Sequence, residues 1–92
     1  MTQDAINGSP QTENLDIGYA VFYMRSGQKV QREGWNGKGM WLKIAEPKEI
    51  TEPTDTTGIM TEPFVYMYTA QGTLIPWLAS QADLLARDWR VV

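Results

Sequence analysis

Gly34-Trp35-Asn36-Gly37-Lys38-Gly39-Met40 gathers the residue types with the most chemical potential in the chain. Three glycines within six residues free the backbone for positive φ and let a ligand approach main-chain N–H groups closely. Successive amides in such a turn can nest an anion. Lys38 adds a point charge suited to phosphate, and Trp35 adds a flat face for a base or ribose. These are parts of a nucleotide-like site. The loop is not a Walker motif, because Gly-Lys is followed by Gly39 and then by a strand pattern rather than a helix. A plain hairpin turn with Asn36-Gly37 at its corner is the competing reading. On residue types alone the turn explains the loop better.

Pro76-Trp77-Leu78-Ala79-Ser80-Gln81-Ala82-Asp83 is the second candidate. It sets Trp77 just ahead of a helix N-terminus, where free amides attract anions. Ser80 and Gln81 can donate to or accept from a polar ligand. Ser80 and Asp83 also have the three-residue spacing of a capping box, and Trp77 can serve as core. Taken alone, Ser80 and Asp83 are better explained as a cap.

Enzymatic readings lack their groups. The chain contains no histidine and no cysteine, so a serine nucleophile has no imidazole base. A zinc site would rest on carboxylates alone, and no cofactor is expected. Glu46, Glu49, Glu52, Asp55 and Glu62 crowd one segment. That segment reads as a long surface excursion, and a mobile acid is a poor general base. The regular ligand spacing of a calcium loop is absent from it. Asp83 and Asp88 lie near Trp77 and Trp89, where burial would raise a carboxyl pKa, but they read as a cap and a surface acid.

The balance of 8 Lys and Arg against 11 Asp and Glu argues against a duplex nucleic-acid partner, which needs a broad basic face. No apolar run approaches a membrane span. The stretch from Met1 to Gln11 lacks the basic start and apolar stretch of a secretory signal. A cytoplasmic location is the default.

The elements that must position these segments follow from periodicity. Residues 1–14 read as a flexible tail and 15–92 as one domain. Ile17, Ala20, Val21 and Met24 recur at helical spacing and predict a helix from Asp16 to Ser26, capped by Asp16 or Asn14 and stopped by Gly27. Lys29 to Arg32 and Met40 to Ala45 read as strands, with Leu42 and Ile44 on one face and Trp41 on the other. Phe64 to Thr69 is a strand apolar on both faces, which predicts that a second subunit covers one of them. Ala70-Gln71-Gly72 turns the chain into a return strand, Thr73 to Pro76. Ser80 opens a short helix, and Asp88 to Val92 closes as a strand with Trp89 and Val91 on one face. The expected fold is α+β: a small antiparallel sheet with an N-terminal helix and a short C-terminal helix, oligomeric.

Two stretches together resemble a known family. Arg32-Glu33-Gly34-Trp35-Asn36-Gly37-Lys38-Gly39-Met40-Trp41-Leu42 is followed some thirty residues later by Gly72-Thr73-Leu74-Ile75-Pro76-Trp77-Leu78-Ala79-Ser80-Gln81-Ala82-Asp83-Leu84-Leu85-Ala86-Arg87-Asp88-Trp89. This pattern, from about Asp16 to Val92, resembles the Thoeris anti-defence two family of phage proteins. The resemblance implies a non-enzymatic sponge that sequesters cyclic nucleotide immune signals. The implied ligands are glycocyclic ADP-ribose of Thoeris and, for some members, cyclic di- or trinucleotides of CBASS. It also implies a homotetramer with ligand sites between subunits, acting in the cytoplasm of the infected host. On this reading Trp35, Asn36, Gly37, Lys38 and Gly39 become ligand contacts, with Trp77, Ser80, Gln81 and Asp83 as further candidates. The alternatives are a small phosphodiesterase that cleaves such signals and a protein-binding module that blocks a defence protein.

Overall fold

The computed structural model describes residues 10–35, 39–46 and 62–92. Helix α1 (Ile17–Arg25) is followed by strands β1 (Val30–Arg32), β2 (Trp41–Ala45), β3 (Phe64–Tyr68) and β4 (Leu74–Pro76), then helix α2 (Gln81–Leu85) and strand β5 (Trp89–Val91). The class is α+β, as the periodicity predicts.

Helix α1 starts where Asp16, in an extended conformation, accepts the Tyr19 N–H at 3.0 Å. A cap of this kind is worth about 1 kcal/mol. It ends at Gly27, whose φ of +89° suits a residue without a Cβ. Ala20 and Met24, one helical turn apart, are the residues α1 buries.

The sheet order is β4-β3-β2-β1-β5, every neighbouring pair antiparallel. Val30 sits opposite both Leu42 and Val91, so strict alternation puts these three side chains on one face. That face meets α1. The core is Leu15, Ala20, Met24, Val30, Leu42 and Trp89, with Val65 and Met67 packed against it. Trp89 is its largest fully buried side chain.

The opposite face carries the aromatic residues of β2 and β3. Trp41 stacks on Tyr68 with centroids 5.1 Å apart, and Lys29 Nζ lies 4.8 Å from the Trp41 ring. Phe64 remains 49% exposed, and Leu74 on β4 is 60% exposed. Phe64, Tyr66 and Tyr68 therefore do face away from Val65 and Met67, as their alternation predicts.

The expected tail divides at Pro10. Residues 1–9 lie outside the described residues. Between Thr12 and Leu15 the chain follows the outer edge of β5. Leu15 and Trp89 exchange both main-chain hydrogen bonds, at 2.9 and 3.1 Å, and Val91 N–H donates to Thr12 O at 2.9 Å. Tyr23 Oη also donates to Gln11 O at 2.7 Å. Of the acidic excursion, residues 47–61 lie outside the described residues. No described helix is long and apolar enough to cross a membrane.

Candidate functional site

The antiparallel pairing of β1 with β2 brings the two arms of the Gly-rich stretch together. Asn36, Gly37 and Lys38 lie outside the described residues. The two arms of the loop are described. On the return arm Gly39 has φ +80°, and among the described residues none beyond its chain neighbours comes within 4 Å of the position a Cβ would take. On the entry arm Glu33 N–H donates to Asp88 O at 3.0 Å, Gly34 N–H to Asp88 Oδ2 at 3.0 Å, and Trp35 N–H to Arg32 O at 3.3 Å.

Trp35 is half-buried. Its ring meets Trp89 edge to face at 5.4 Å, and Trp77 meets the same indole at 6.0 Å, again nearly perpendicular. Edge-to-face contact places the positive ring edge on the negative face of its neighbour. Trp89 thus lies between the two segments singled out by sequence. It is fixed in turn by its Nε1–H, which donates to Asp83 O at 3.1 Å.

Helix α2 closes this group. Ser80 caps it: Asp83 N–H donates to Ser80 Oγ at 3.1 Å, and Ser80 N–H donates to Asp83 Oδ2 at 3.3 Å. The capping-box spacing is realised in full. Gln81 is exposed on the first turn. Asp83 Oδ1 accepts Arg32 Nη1 at 3.0 Å and, over a long 3.5 Å, Trp35 Nε1. Both of its oxygens are therefore engaged within the protein. Asp88 Oδ1 accepts Arg32 Nε at 2.9 Å. Side-chain exposures of 21% for Arg32, 14% for Asp83 and 31% for Asp88 place this group at the edge of the core.

The electrostatics correct one expectation. Burial beside tryptophan does push the Asp83 carboxyl up. The Arg32 guanidinium, the Ser80 amide and hydroxyl, and the Trp35 indole outweigh it, and the net shift is below the ordinary carboxylate value. For Asp88 the Arg32 hydrogen bond is the largest influence and holds the carboxyl down against a smaller effect of burial. The two acids push Arg32 upward, Asp88 most. Asp88 is accordingly a partner in an ion pair and the acceptor for the loop amide, not a plain surface acid.

The structure brings Trp35, Trp77, Ser80, Gln81 and Asp83 to one end of the sheet. Arg32 was not among the candidates read from sequence. It opens the first motif, but its two acids lie 51 and 56 residues further on, and nothing in the spacing reveals the pairing. Among the described residues no cluster of three or more His, Cys, Asp or Glu could hold a metal ion. A cavity of about 720 Å³ opens elsewhere, between Lys43, Phe64, Tyr66, Leu74 and Pro76. It does not include the indole cluster.

Fold and site define a small α+β domain in which the entry arm of a Gly-rich segment and a capped helix N-terminus are joined by three indoles and one bridging arginine. The chain belongs to the Thoeris anti-defence 2 family. The model of the Thoeris anti-defense 2-like domain matches residues 15–92. A relative from Bacillus phage SP01, described as Thoeris anti-defense 2, is 30% identical over 84 residues, spanning 85% of this chain and 94% of that protein.

Proposed function

We propose that the chain is a phage anti-defence protein that binds a cyclic nucleotide immune signal, glycocyclic ADP-ribose first among them, and withholds it without cleaving it. The observation that carries this reading is the meeting of Trp35 and Trp77 on Trp89. It sets the two motifs behind the family resemblance side by side, with an exposed Gln81 and the entry arm of the Gly-rich segment at the same end. Family membership supplies the Thoeris context. The recognition groups are indole faces and main-chain amides, which suits an acidic chain that takes up a small anion without a broad basic surface.

Sequestration works by mass action. The protein must bind the signal more tightly than the defence effector does, and must be present in excess. A nanomolar Kd corresponds to about −12 kcal/mol, which a preorganised pocket with aromatic stacking can supply. Cyclic di- or trinucleotides of CBASS are further candidate ligands. The working form in this proposal is a homo-oligomer, a tetramer, in the cytoplasm of the infected cell. The exposed Phe64 and Leu74 on the aromatic side of the sheet support an apolar contact between subunits.

The test is to incubate the purified chain with glycocyclic ADP-ribose, remove unbound ligand, and denature the complex by heat. Recovery of intact ligand in proportion to protein is the expected result. A linearised or hydrolysed product would replace this reading with a phosphodiesterase. If the ligand is not retained and no cyclic nucleotide raises the melting temperature, a module that binds a defence protein takes its place.

A further inference from the structure

Arg32 stands where the two recognition segments meet. Its Nε donates to Asp88 Oδ1 at 2.9 Å and its Nη1 to Asp83 Oδ1 at 3.0 Å. Each carboxylate carries the link outward. Asp88 Oδ2 accepts the Gly34 amide at 3.0 Å, and Asp83 Oδ2 accepts the Ser80 amide at 3.3 Å. One guanidinium therefore connects the main chain at the start of the Gly-rich loop with the main chain at the N-cap of α2.

We infer that Arg32 is the positioning residue of the binding site: through Asp88 and Asp83 it fixes the loop stem and the α2 N-terminus in one arrangement before ligand arrives. The inference rests on the binding role proposed above. Arg32 acts through other groups, because its Nε, its Nη1 and, over a long 3.5 Å, its Nη2 already donate to protein carboxylates. The geometry requires a planar fork. A guanidinium can address two acids in different directions, whereas an ammonium is a single compact charge on a flexible stem. Gly34 matches this arrangement, since a Cβ there would stand 3.0 Å from Asp88 Oδ2. Where the stem is held in advance, the ligand does not have to order it, and less of the binding energy is lost on association.

The experiment compares the wild-type chain with Arg32→Lys and Asp88→Asn. Arg32→Lys keeps the charge but loses the fork. Asp88→Asn keeps an acceptor for Gly34 but gives Arg32 a neutral partner, and it serves if the first variant does not fold. Affinity for glycocyclic ADP-ribose is read by calorimetry on folded protein, and the Gly34 amide is read by proton–nitrogen correlation spectra with hydrogen exchange. The expected result is a tenfold or greater rise in Kd, together with an upfield shift and faster exchange of the Gly34 amide. Either quantity staying at its wild-type value while the other changes overturns the inference, as does an unchanged pair. If wild-type protein does not take up the probe, the ligand assignment fails and the Gly34 amide alone decides. A Gly34 amide as protected in the variants as in wild type then removes the positioning role.

Discussion

The indole of Trp35 meets that of Trp89 edge to face, with centroids 5.4 Å apart and planes at 80°. The two rings have different duties. Trp89 is fully buried, whereas Trp35 keeps part of its surface open and is tethered through its Nε1 to Asp83.

Trp35→Ala should therefore separate binding from folding. Removing the ring forfeits an aromatic pair worth about 1 kcal/mol, which lowers the melting temperature without preventing folding. Retention of glycocyclic ADP-ribose should fall by tenfold or more. Trp89→Ala is the contrast. Truncating a fully buried tryptophan costs about 3–5 kcal/mol, a large part of the stability of a small domain, and circular dichroism should report loss of the fold.

The two acids on Arg32 make stability depend on pH. Both carboxyls lie lower in the folded chain than their ordinary value of 3.8. Their contribution is fully present above that value and is lost as pH falls through the lower folded values. The urea midpoint should hold between about pH 7 and pH 5 and drop below about pH 4. Asp83→Asn combined with Asp88→Asn should lower the plateau and flatten the drop. An unchanged acid limb in the double variant would show that other carboxylates carry it.

Gly34→Ala and Gly39→Ala should fail in different ways. At Gly34 the new methyl meets Asp88 Oδ2 at 3.0 Å, and Arg32 prevents that oxygen from giving way easily, so the ion pair and the loop stem are disturbed together. At Gly39 the space is open but φ is +80°, so the cost is backbone strain of about 1 kcal/mol. Melting curves and the tryptophan emission spectrum distinguish the two. The spectrum should move for Gly34→Ala and stay in place for Gly39→Ala.

The proposed oligomer predicts a response to charge on the aromatic side of the sheet. Phe64→Glu with Leu74→Glu alters two side chains that are largely exposed within the single chain, so its fold should survive. Sedimentation velocity should show dissociation to smaller species. An unaltered tetramer would move the subunit contact to another surface, such as that around Leu78, which is 92% exposed.

Local pattern made most of the fold legible. The i, i+3, i+4 stripe of α1, the alternation of β2 and β3 and the Ser80–Asp83 cap all depend on neighbours within a few residues, and each element lies within a residue or two of where periodicity places it. The site was legible as two separate segments, because glycines, tryptophans and a cap announce themselves locally. The bond between the segments was not legible. Arg32 finds its acids only once β5 lies beside β1, and a pairing across more than fifty residues leaves no periodic trace. The pairing of Leu15 with Trp89 was hidden for the same reason. A polar run such as Thr12-Glu13-Asn14 shows no strand pattern, and its order comes from the edge of β5.

That edge has a consequence for how the protein comes into being. Trp89 opens β5, the last element of the fold in chain order, yet the segment around Leu15, the centre of the core and both candidate segments are arranged around it. Closing contacts across such long separations is slow relative to forming a helix or a hairpin. On the ribosome α1 and the β1–β2 and β3–β4 hairpins can form early, but the indole cluster cannot assemble until β5 has left the exit tunnel. Activity should therefore switch on only once the chain has been made through β5, and a chain that stops a few residues short of Trp89 should be degraded rather than accumulate as a weak binder.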